Sequence, residues 1–287
     1  MPVHPLLRAA DRVRALDDRP AVVKLGGSAM EEPAATRGTL AAVAALHALG
    51  VKLAVVHGGG KPIDRAMAAA GLTPVKVQGR RYTDDATLDV VVRVLGELTD
   101  GLVGLMDDLG CPPFGFGTDD PADFPVRGER LLLPGLDLAP LDLGHVGTPA
   151  RVDADRLNEV LFSRWEVAVL PSLAVGPDGG WLNVNADTAA AAVAGALKAA
   201  ACLFLTDTPG VLRNVSDPTS LVPRLTRAEA DALIRDGTVG GGMVPKLDAC
   251  FEALDAGAGS AVVLDGRDPH ALLDWLLGEP RGTEIVP

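Results

Sequence analysis

Two lysines stand at positions that normally disfavour a cation. Lys24 lies near the end of the apolar run 21–25, directly before Gly26. An unpaired ammonium in an apolar interior is costly, so Lys24 needs an anion unless its charge reaches solvent at the strand end. Lys246 comes at the predicted start of a helix, where a cation opposes the helix dipole. A phosphate site would explain both positions, although a solvated lysine would also explain Lys246.

Two glycine-rich turns could offer backbone N–H groups to an anion. Gly26 and Gly27 follow the first apolar run, and Gly58, Gly59 and Gly60 follow the second. Each turn precedes a predicted helix, whose N-terminus favours negative charge. Tight turning alone would explain one such loop. The phosphate-binding patterns GxxxxGK[ST] and GxGxxG after a strand are absent.

A polar segment and a basic hairpin provide candidate substrate ligands. In the segment 183–187, Asn185 is placed to cap the following helix and Asp187 lies in its first turn. Capping does not explain Asn183, whose side chain is left for a ligand. Arg81 lies in a predicted hairpin and could bind a carboxylate through two hydrogen bonds. A solvated basic turn would explain Arg81 as well.

A later loop lies where α/β sheets bind ligands. Thr206, Asp207 and Gly210 follow a predicted apolar strand, and open α/β sheets bind ligands at the carboxyl ends of their strands. A plain turn would by itself explain this loop. His57 and His145 have no partner spacing that suggests a metal site or a catalytic triad, so neither is assigned a role.

The elements that must position these residues alternate between strands and helices, which predicts an α/β fold with a parallel sheet. We expect helices at 5–16, 34–50, 62–70, 85–109, 187–201 and 245–256, strands at 21–25, 51–57, 167–170, 203–206 and 261–264, and a hairpin over 75–83. Residues 111–150, rich in Pro, Gly and Asp, are expected to form loops and short strands. The helical period of residues 5–16 predicts an N-terminal helical extension over 1–20. A turn-rich segment at 176–180 predicts the boundary between two lobes, 21–178 and 179–287.

Composition excludes several classes of function. The 287-residue chain has a formal charge of −12 and a pI near 4.8, which opposes non-specific binding to nucleic acid or to an anionic membrane. No apolar run approaches the roughly 20 residues of a spanning helix, and no signal-peptide stretch is present, so we expect a cytoplasmic protein. The three cysteines are widely spaced, which argues against disulfides and zinc.

Five ordered motifs carry a resemblance to a known family. They are Lys24-Leu25-Gly26-Gly27-Ser28, His57-Gly58-Gly59-Gly60, Gly79-Arg80-Arg81-Tyr82-Thr83, Asn183-Val184-Asn185-Ala186-Asp187 and Gly242-Met243-Val244-Pro245-Lys246. In order and spacing the chain resembles the acetylglutamate kinases of the amino acid kinase family, from about residue 21 to the C-terminus. The resemblance implies a three-layer αβα sandwich around a mainly parallel sheet, with an N-terminal lobe for the acyl amino acid and a C-terminal lobe for ATP.

The resemblance also implies a role for each motif. Lys24 and Lys246 would neutralise the transferring phosphoryl group, and Asp187 would hold both lysines. Arg81 and Asn183 would bind the substrate α-carboxylate. The phosphate and nucleotide side would consist of Gly26, Gly27, Gly58, Gly59, Thr206, Asp207, Gly210 and Gly242, with Gly59 also facing the substrate.

The implied reaction is ATP-dependent phosphorylation of the side-chain carboxylate of N-acetyl-L-glutamate, in arginine biosynthesis. A carboxylate that is ionised at neutral pH needs no general base, and phosphoryl transfer mainly requires alignment and charge stabilisation. Mg²⁺ would be held by the ATP phosphates, without a metal site made of protein ligands. The segment before residue 21 resembles the N-terminal helix of arginine-inhibited members, so the resemblance implies a homo-oligomer, dimer or hexamer, and an L-arginine effector.

Two departures from the family pattern concern substrate preference. Thr99-Asp100 replaces an Asn-containing pair, and residues 111–130 replace a Gly-rich hairpin with a Pro- and Phe-containing stretch. Two alternatives therefore stay open. One is a kinase for another amino-acid carboxylate, such as an aminoadipate derivative or aspartate, and the other is a catalytically weak regulatory paralogue.

Overall fold

A computed structural model describes residues 4–77, 79–134 and 140–287. The helices are α1 (Pro5–Ala15), α2 (Ser28–Glu31), α3 (Pro33–Ala48), α4 (Gly60–Ala69), α5 (Asp85–Asp108), α6 (Ala154–Asn158), α7 (Ala186–Ala196), α8 (Arg227–Arg235), α9 (Met243–Asp255) and α10 (Ala271–Leu277). The strands are β1 (Ala21–Leu25), β2 (Leu53–His57), β3 (Lys76–Val77), β4 (Arg80–Arg81), β5 (Pro113–Gly115), β6 (Val126–Pro134), β7 (Pro140–Val152), β8 (Val167–Pro171), β9 (Leu173–Val175), β10 (Trp181–Val184), β11 (Ala201–Thr206), β12 (Arg224–Thr226), β13 (Ala261–Asp265) and β14 (Thr283–Val286).

The described residues form an eight-stranded sheet with the strand order β12-β14-β13-β11-β1-β2-β8-β5. Its neighbouring strands are parallel except for the antiparallel pair β13 and β14. Strand β1 lies between β11 and β2, so that Lys24 stands beside Phe204 and Val56. The sheet takes strands from both halves of the chain, and the proposed lobe boundaries stay a prediction.

Helices cover both faces of the sheet because its central strands are apolar on both sides. Val23 and Leu25 of β1 pack in the core formed with α3 and α10, whereas Val22 packs in the core formed with α4, α7 and α9. Since successive side chains of a strand point to opposite faces, Lys24 shares the face of Val22 and points toward α7 and α9. The predicted three-layer α/β sandwich is confirmed.

A smaller sheet closes into a four-stranded barrel, β10-β7-β6-β9, beside the main sheet. The prediction of loops and short strands for 111–150 is wrong over most of this region, because β6 has 9 residues and β7 has 13. The glycines there lie where the barrel is too narrow for a side chain: a Cβ at Gly147 would lie 2.7 Å from Leu182 Cβ, and one at Gly128 would lie 2.8 Å from Ala174 Cβ. Residues 135–139 of the predicted loop region lie outside the described residues.

The predicted helix bounds differ from the observed ones by one to five residues, and the differences at α7 and α9 affect the placement of chemical groups. Helix α7 ends at Ala196 rather than at residue 201, and the chain turns through Lys198 at a φ of 46° before β11 begins. Helix α9 begins at Met243, so that Pro245 and Lys246 are its third and fourth residues. Pro245 is tolerated there because N–H groups of the first helical turn have no intrahelical acceptor. Lys246 therefore still lies in the first turn.

Helix α1 is the predicted N-terminal helix, and it packs on α10. Ala9 is buried, and Arg8 forms an ion pair with Glu279, with Nη1 2.8 Å from Oε1. Leu6 and Leu7 lie on the outer side of α1, where they are 68% and 60% exposed. Among the described residues, no helix combines the length and apolarity needed to cross a membrane.

Candidate active site

The centre of the site is a buried carboxylate between two ammonium groups. Lys24 Nζ lies 2.8 Å from Asp187 Oδ1, and Lys246 Nζ donates a hydrogen bond of 3.0 Å to Asp187 Oδ2. Lys24 and Lys246 are each 7% exposed and Asp187 is 8% exposed. The two ammonium groups and the one carboxylate have a net charge of +1. Because the three groups are largely shielded from water, this net charge favours binding of an anion.

Burial and charge together set the protonation of this cluster. Burial lowers the pKa of Lys24, and the opposing effect of the Asp187 carboxylate does not restore it to its ordinary value. Burial would raise the pKa of Asp187, but the ammonium groups of Lys24 and Lys246 outweigh it and hold that pKa below its usual range. Asp187 is therefore ionised at neutral pH and keeps the two cations in place.

Three separate elements bring these charges together. Lys24 comes from the central strand β1, and Lys246 from the first turn of α9. Asp187 lies in the first turn of α7, which Asn185 caps by accepting hydrogen bonds from the backbone N–H groups of Asp187 and Thr188, at 2.8 and 3.1 Å. The capping role predicted for Asn185 is confirmed.

The two glycine turns line a cleft of about 260 Å³ next to Lys24. Gly26 and Gly27 follow β1, and Gly58 and Gly59 follow β2 and precede the N-terminus of α4. Close packing requires glycine in both turns: a Cβ at Gly26 would lie 2.7 Å from the Leu205 carbonyl oxygen, and one at Gly59 would overlap side-chain atoms of α4. The turns thus bring backbone N–H groups and the N-terminus of α4 to the cleft, with the N–H of Gly58 also donating to the Leu25 carbonyl oxygen at 3.4 Å.

The same cleft contains both predicted ligands of the α-carboxylate. Arg81 is held at Nη2 by Asp64 Oδ1, 2.5 Å away, and its Nη1 lies 3.1 Å from Met67 Sδ. Asn183 donates from Nδ2 to Thr83 Oγ1 at 3.1 Å. Arg81 and Asn183, which are far apart in sequence, therefore line one pocket together with Lys24.

A second cleft, of about 360 Å³, lies on the other side of the lysine pair. Its lining includes Lys246 and the predicted nucleotide-side residues Thr206, Asp207, Gly210 and Gly242. Apolar side chains from 211, 212, 239 and 243 complete it. A third opening, of about 480 Å³, contains both lysines and joins the two clefts. The predicted site residues thus line connected clefts, with Asp187 behind the two lysines.

The carboxylates of the site form no metal cage. In the described ranges, no group of three or more His, Cys, Asp or Glu side chains could hold a metal ion. Both oxygens of Asp187 face ammonium groups. Asp207 lines both the second cleft and the joining opening, and its Oδ1 accepts a hydrogen bond from Thr206 Oγ1 at 3.1 Å. This donor set fits an ion that enters with phosphate oxygens as its main ligands.

Several residues of the clefts were not singled out from the sequence. Lys61, whose Nζ lies 2.5 Å from Glu31 Oε2, and Arg267, which pairs with Asp265, both line the joining opening. Arg267 follows the carboxyl end of β13, so its place at the ligand-binding edge of the sheet could have been inferred from the strand pattern. Asp64, beside Arg81, had no comparable signal in the sequence.

The two histidines that were assigned no role have structural contacts. His57 Nε2 lies 2.9 Å from Thr99 Oγ1, one of the residues that depart from the family pattern. Burial lowers the pKa of His57 to about 4, so its imidazole is neutral at pH 7. His145 Nε2 lies 2.6 Å from Asp85 Oδ1.

Known proteins with similar sequences and folds bear on this arrangement. Residues 19–265 match the amino acid kinase family. The chain is 37% identical to the acetylglutamate kinase of Akkermansia muciniphila over 283 residues, which cover 98% of this chain and 94% of that relative. It is 40% identical to the acetylglutamate kinase of Mesorhizobium japonicum over 288 residues, which cover 98% of this chain and 95% of that relative.

The fold is similar to that of N-acetylglutamate synthase from Neisseria gonorrhoeae complexed with coenzyme A and N-acetyl-glutamate, with a TM-score of 0.83. The two chains are 22% identical, and the match covers 99% of this chain and 63% of that one.

Proposed function

Because the chain belongs to the amino acid kinase family, and its relatives over nearly the whole length are acetylglutamate kinases, we propose that it phosphorylates N-acetyl-L-glutamate with ATP, in arginine biosynthesis. The single observation that supports this most is the buried pair Lys24 and Lys246, held by Asp187 between two connected clefts. One cleft offers cationic and amide groups to an acidic substrate, and the other offers an apolar and polar lining to a nucleotide.

The proposed reaction needs little covalent chemistry from the protein. Arg81 and Asn183 bind the α-carboxylate of the substrate, which directs the side-chain carboxylate toward the two lysines. A carboxylate oxygen forms a bond to the γ-phosphorus of ATP, the bond from that phosphorus to the bridging oxygen breaks, and ADP leaves. Lys24 and Lys246 stabilise the negative charge on the transferring group, with Asp187 holding both ammonium groups in position.

A divalent metal fits this site as a companion of the nucleotide. We propose Mg²⁺, with Asp207 near the phosphates and ATP oxygens as the main ligands. When bound, the ion neutralises phosphate charge that the lysines alone do not balance. The glycine turns after β1 and β2, which line the cleft next to Lys24, would offer backbone N–H groups to the transferring phosphoryl group.

Trapping of the product with hydroxylamine tests the proposal. An acyl phosphate reacts to a hydroxamate, so we expect a signal that requires N-acetyl-L-glutamate, ATP and Mg²⁺ together. The same panel should contain an N-acetylated aminoadipate and aspartate. A stronger signal with another acid would assign the chain to a different carboxylate kinase, and no signal with any acid would favour a regulatory paralogue.

Assembly and regulation form the second part of the proposal. Exposed Leu6 and Leu7 on α1 would be covered in a homo-oligomer, either a dimer or a hexamer. L-Arginine is proposed as an effector, in line with the resemblance of the N-terminal segment. The cytoplasmic location stays a prediction from the sequence.

A further inference from the structure

Thr83 connects the two residues that are proposed to bind the substrate α-carboxylate. It is fully buried, and its Oγ1 makes two hydrogen bonds. The hydroxyl donates to the Arg81 carbonyl oxygen at 2.8 Å and accepts from Asn183 Nδ2 at 3.1 Å. One hydroxyl group thus contacts the hairpin that carries Arg81 and the barrel strand that carries Asn183.

The backbone around Thr83 fixes where this hydroxyl can point. Its N–H donates to the Leu143 carbonyl oxygen at 3.0 Å, and its own carbonyl oxygen accepts from the His145 N–H at 2.6 Å. Gly144 has a φ of 73°, and a Cβ at that position would overlap the Thr83 carbonyl group. Two backbone hydrogen bonds therefore hold Thr83 next to β7, and its β-branched side chain has little rotational freedom.

Hydrogen-bond donors and acceptors then decide how the Asn183 amide is turned. A hydroxyl has one hydrogen, and the hydrogen of Thr83 is used by the Arg81 carbonyl group, so that Thr83 Oγ1 can only accept. Asn183 must therefore present its NH₂ group, not its carbonyl oxygen, to Thr83. The second N–H of that group is left for a ligand in the cleft that Asn183 lines.

We propose that Thr83 is a positioning residue that makes this cleft select an α-carboxylate. Its hydroxyl holds the Asn183 amide with an N–H group toward the substrate, and it fixes the backbone from which the Arg81 side chain extends. Without the hydroxyl, Asn183 could turn its carbonyl oxygen toward the substrate, where it would repel a carboxylate. The inference rests on the proposed function, because it concerns the acceptor of the same reaction.

The test compares two acceptors in Thr83→Val, which keeps the shape of the side chain and removes the hydroxyl. The acceptors are N-acetyl-L-glutamate and its α-carboxamide, which keeps the reacting side-chain carboxylate. We expect KM for N-acetyl-L-glutamate to rise about tenfold, because Asn183 then no longer donates a hydrogen bond to the charged α-carboxylate. The values of kcat and of KM for ATP should change less than about twofold. KM for the carboxamide should hardly change, so the preference of the enzyme for the α-carboxylate shrinks.

Conservative and distant variants separate positioning from a structural role. Thr83→Ser keeps the hydroxyl and should restore the preference for the α-carboxylate. Thr39→Val changes a buried threonine of α3 outside the clefts and should leave both KM values unchanged. If Thr83→Val does not fold, Thr83→Cys takes its place, because a thiol is a weak hydrogen-bond partner.

Each outcome decides for or against the inference. A shrunken preference for the α-carboxylate with rescue by serine supports it. Equal changes with both acceptors, a loss confined to kcat or to melting temperature, or no change at all would overturn it while the proposed function stands. A wild-type enzyme that does not phosphorylate N-acetyl-L-glutamate would overturn the proposed function, and the inference with it.

Discussion

At the scale of single residues, the lysine pair is the feature that most directly predicts a rate effect. Lys24 and Lys246 share the carboxylate of Asp187 in a buried position, so one positive charge is left to face the transferring phosphoryl group. We expect Lys24→Met and Lys246→Met each to lower kcat by about 10²–10³-fold, because such charges act mainly on the transition state. KM for both substrates should change by less than about threefold.

Steady-state kinetics with a matched lysine variant check this prediction. Lys198→Met changes an exposed lysine and should leave kcat unaffected. Each single variant of the pair leaves Asp187 with one ammonium partner, so thermal unfolding should show that the variants are folded. A large rise in KM with an unchanged kcat would mean that the lysines bind the ground state only.

Most of the candidate site could be predicted from the sequence because its residue types are unusual for their places. Lysine in a buried strand and glycines after two strands are conspicuous. Asp64 was not recognised as part of the site because an aspartate on a helix is ordinary. Thr83 ends one of the five motifs but was assigned no role, because a threonine at the end of a hairpin is ordinary as well. The hydrogen bond that gives Thr83 its importance joins residues 100 positions apart, which no local pattern reveals.

Among the secondary-structure elements, glycine content predicted two turns correctly but contributed to a wrong prediction of loops and short strands over 111–150. The glycine turns after β1 and β2 were correctly placed between strand and helix. The glycine content of 111–150 contributed to the prediction of loops and short strands there, although Gly128 and Gly147 lie in the long strands β6 and β7, where side chains from other strands fill the space. Composition alone does not distinguish a turn from a close approach of two strands.

A contact between two elements predicts a pH dependence of stability. His57 ends β2 and faces Thr99 of α5, and burial lowers its pKa from the ordinary 6.5 to about 4. Between these values the unfolded chain binds a proton at His57 and the folded chain does not, so the free energy of unfolding falls as the pH falls. We expect His57 to account for a loss of about 2 kcal/mol between pH 7 and pH 5.

Denaturant unfolding at the two pH values measures this contribution. His57→Gln removes the titrating group and keeps a polar side chain that can face Thr99. Between pH 7 and pH 5, its free energy of unfolding should therefore fall by about 2 kcal/mol less than that of the wild type. His4→Gln, at an exposed histidine, serves as the control. A variant with the full pH sensitivity of the wild type would assign the loss to other groups.

At the scale of the whole molecule, the order of elements predicted the layers but not the arrangement of the sheet. Alternating strands and helices favour a parallel sheet covered on both faces. The antiparallel pairing of β14 with β13 and the edge position of β5 depend on contacts between distant segments. Helix α1 was predicted correctly, yet its sequence alone did not show which side would pack on its own subunit.

The outer side of α1 carries exposed apolar side chains that favour contact with another subunit. Its inner side packs on α10 through Ala9, and the outer Leu6 and Leu7 are exposed in the single chain. We expect the full chain to form an oligomer that includes contacts through these leucines, because exposed apolar side chains next to each other favour association.

Light scattering should show that the double variant Leu6→Asp/Leu7→Asp forms a smaller assembly than the wild type. The control variant Arg14→Ala, at an exposed position of the same helix, should keep the wild-type mass. Activity of the same variants against L-arginine would show whether the assembly carries regulation. Equal masses for the wild type and the leucine variant, with equal responses to arginine, would mean that α1 serves only its own subunit.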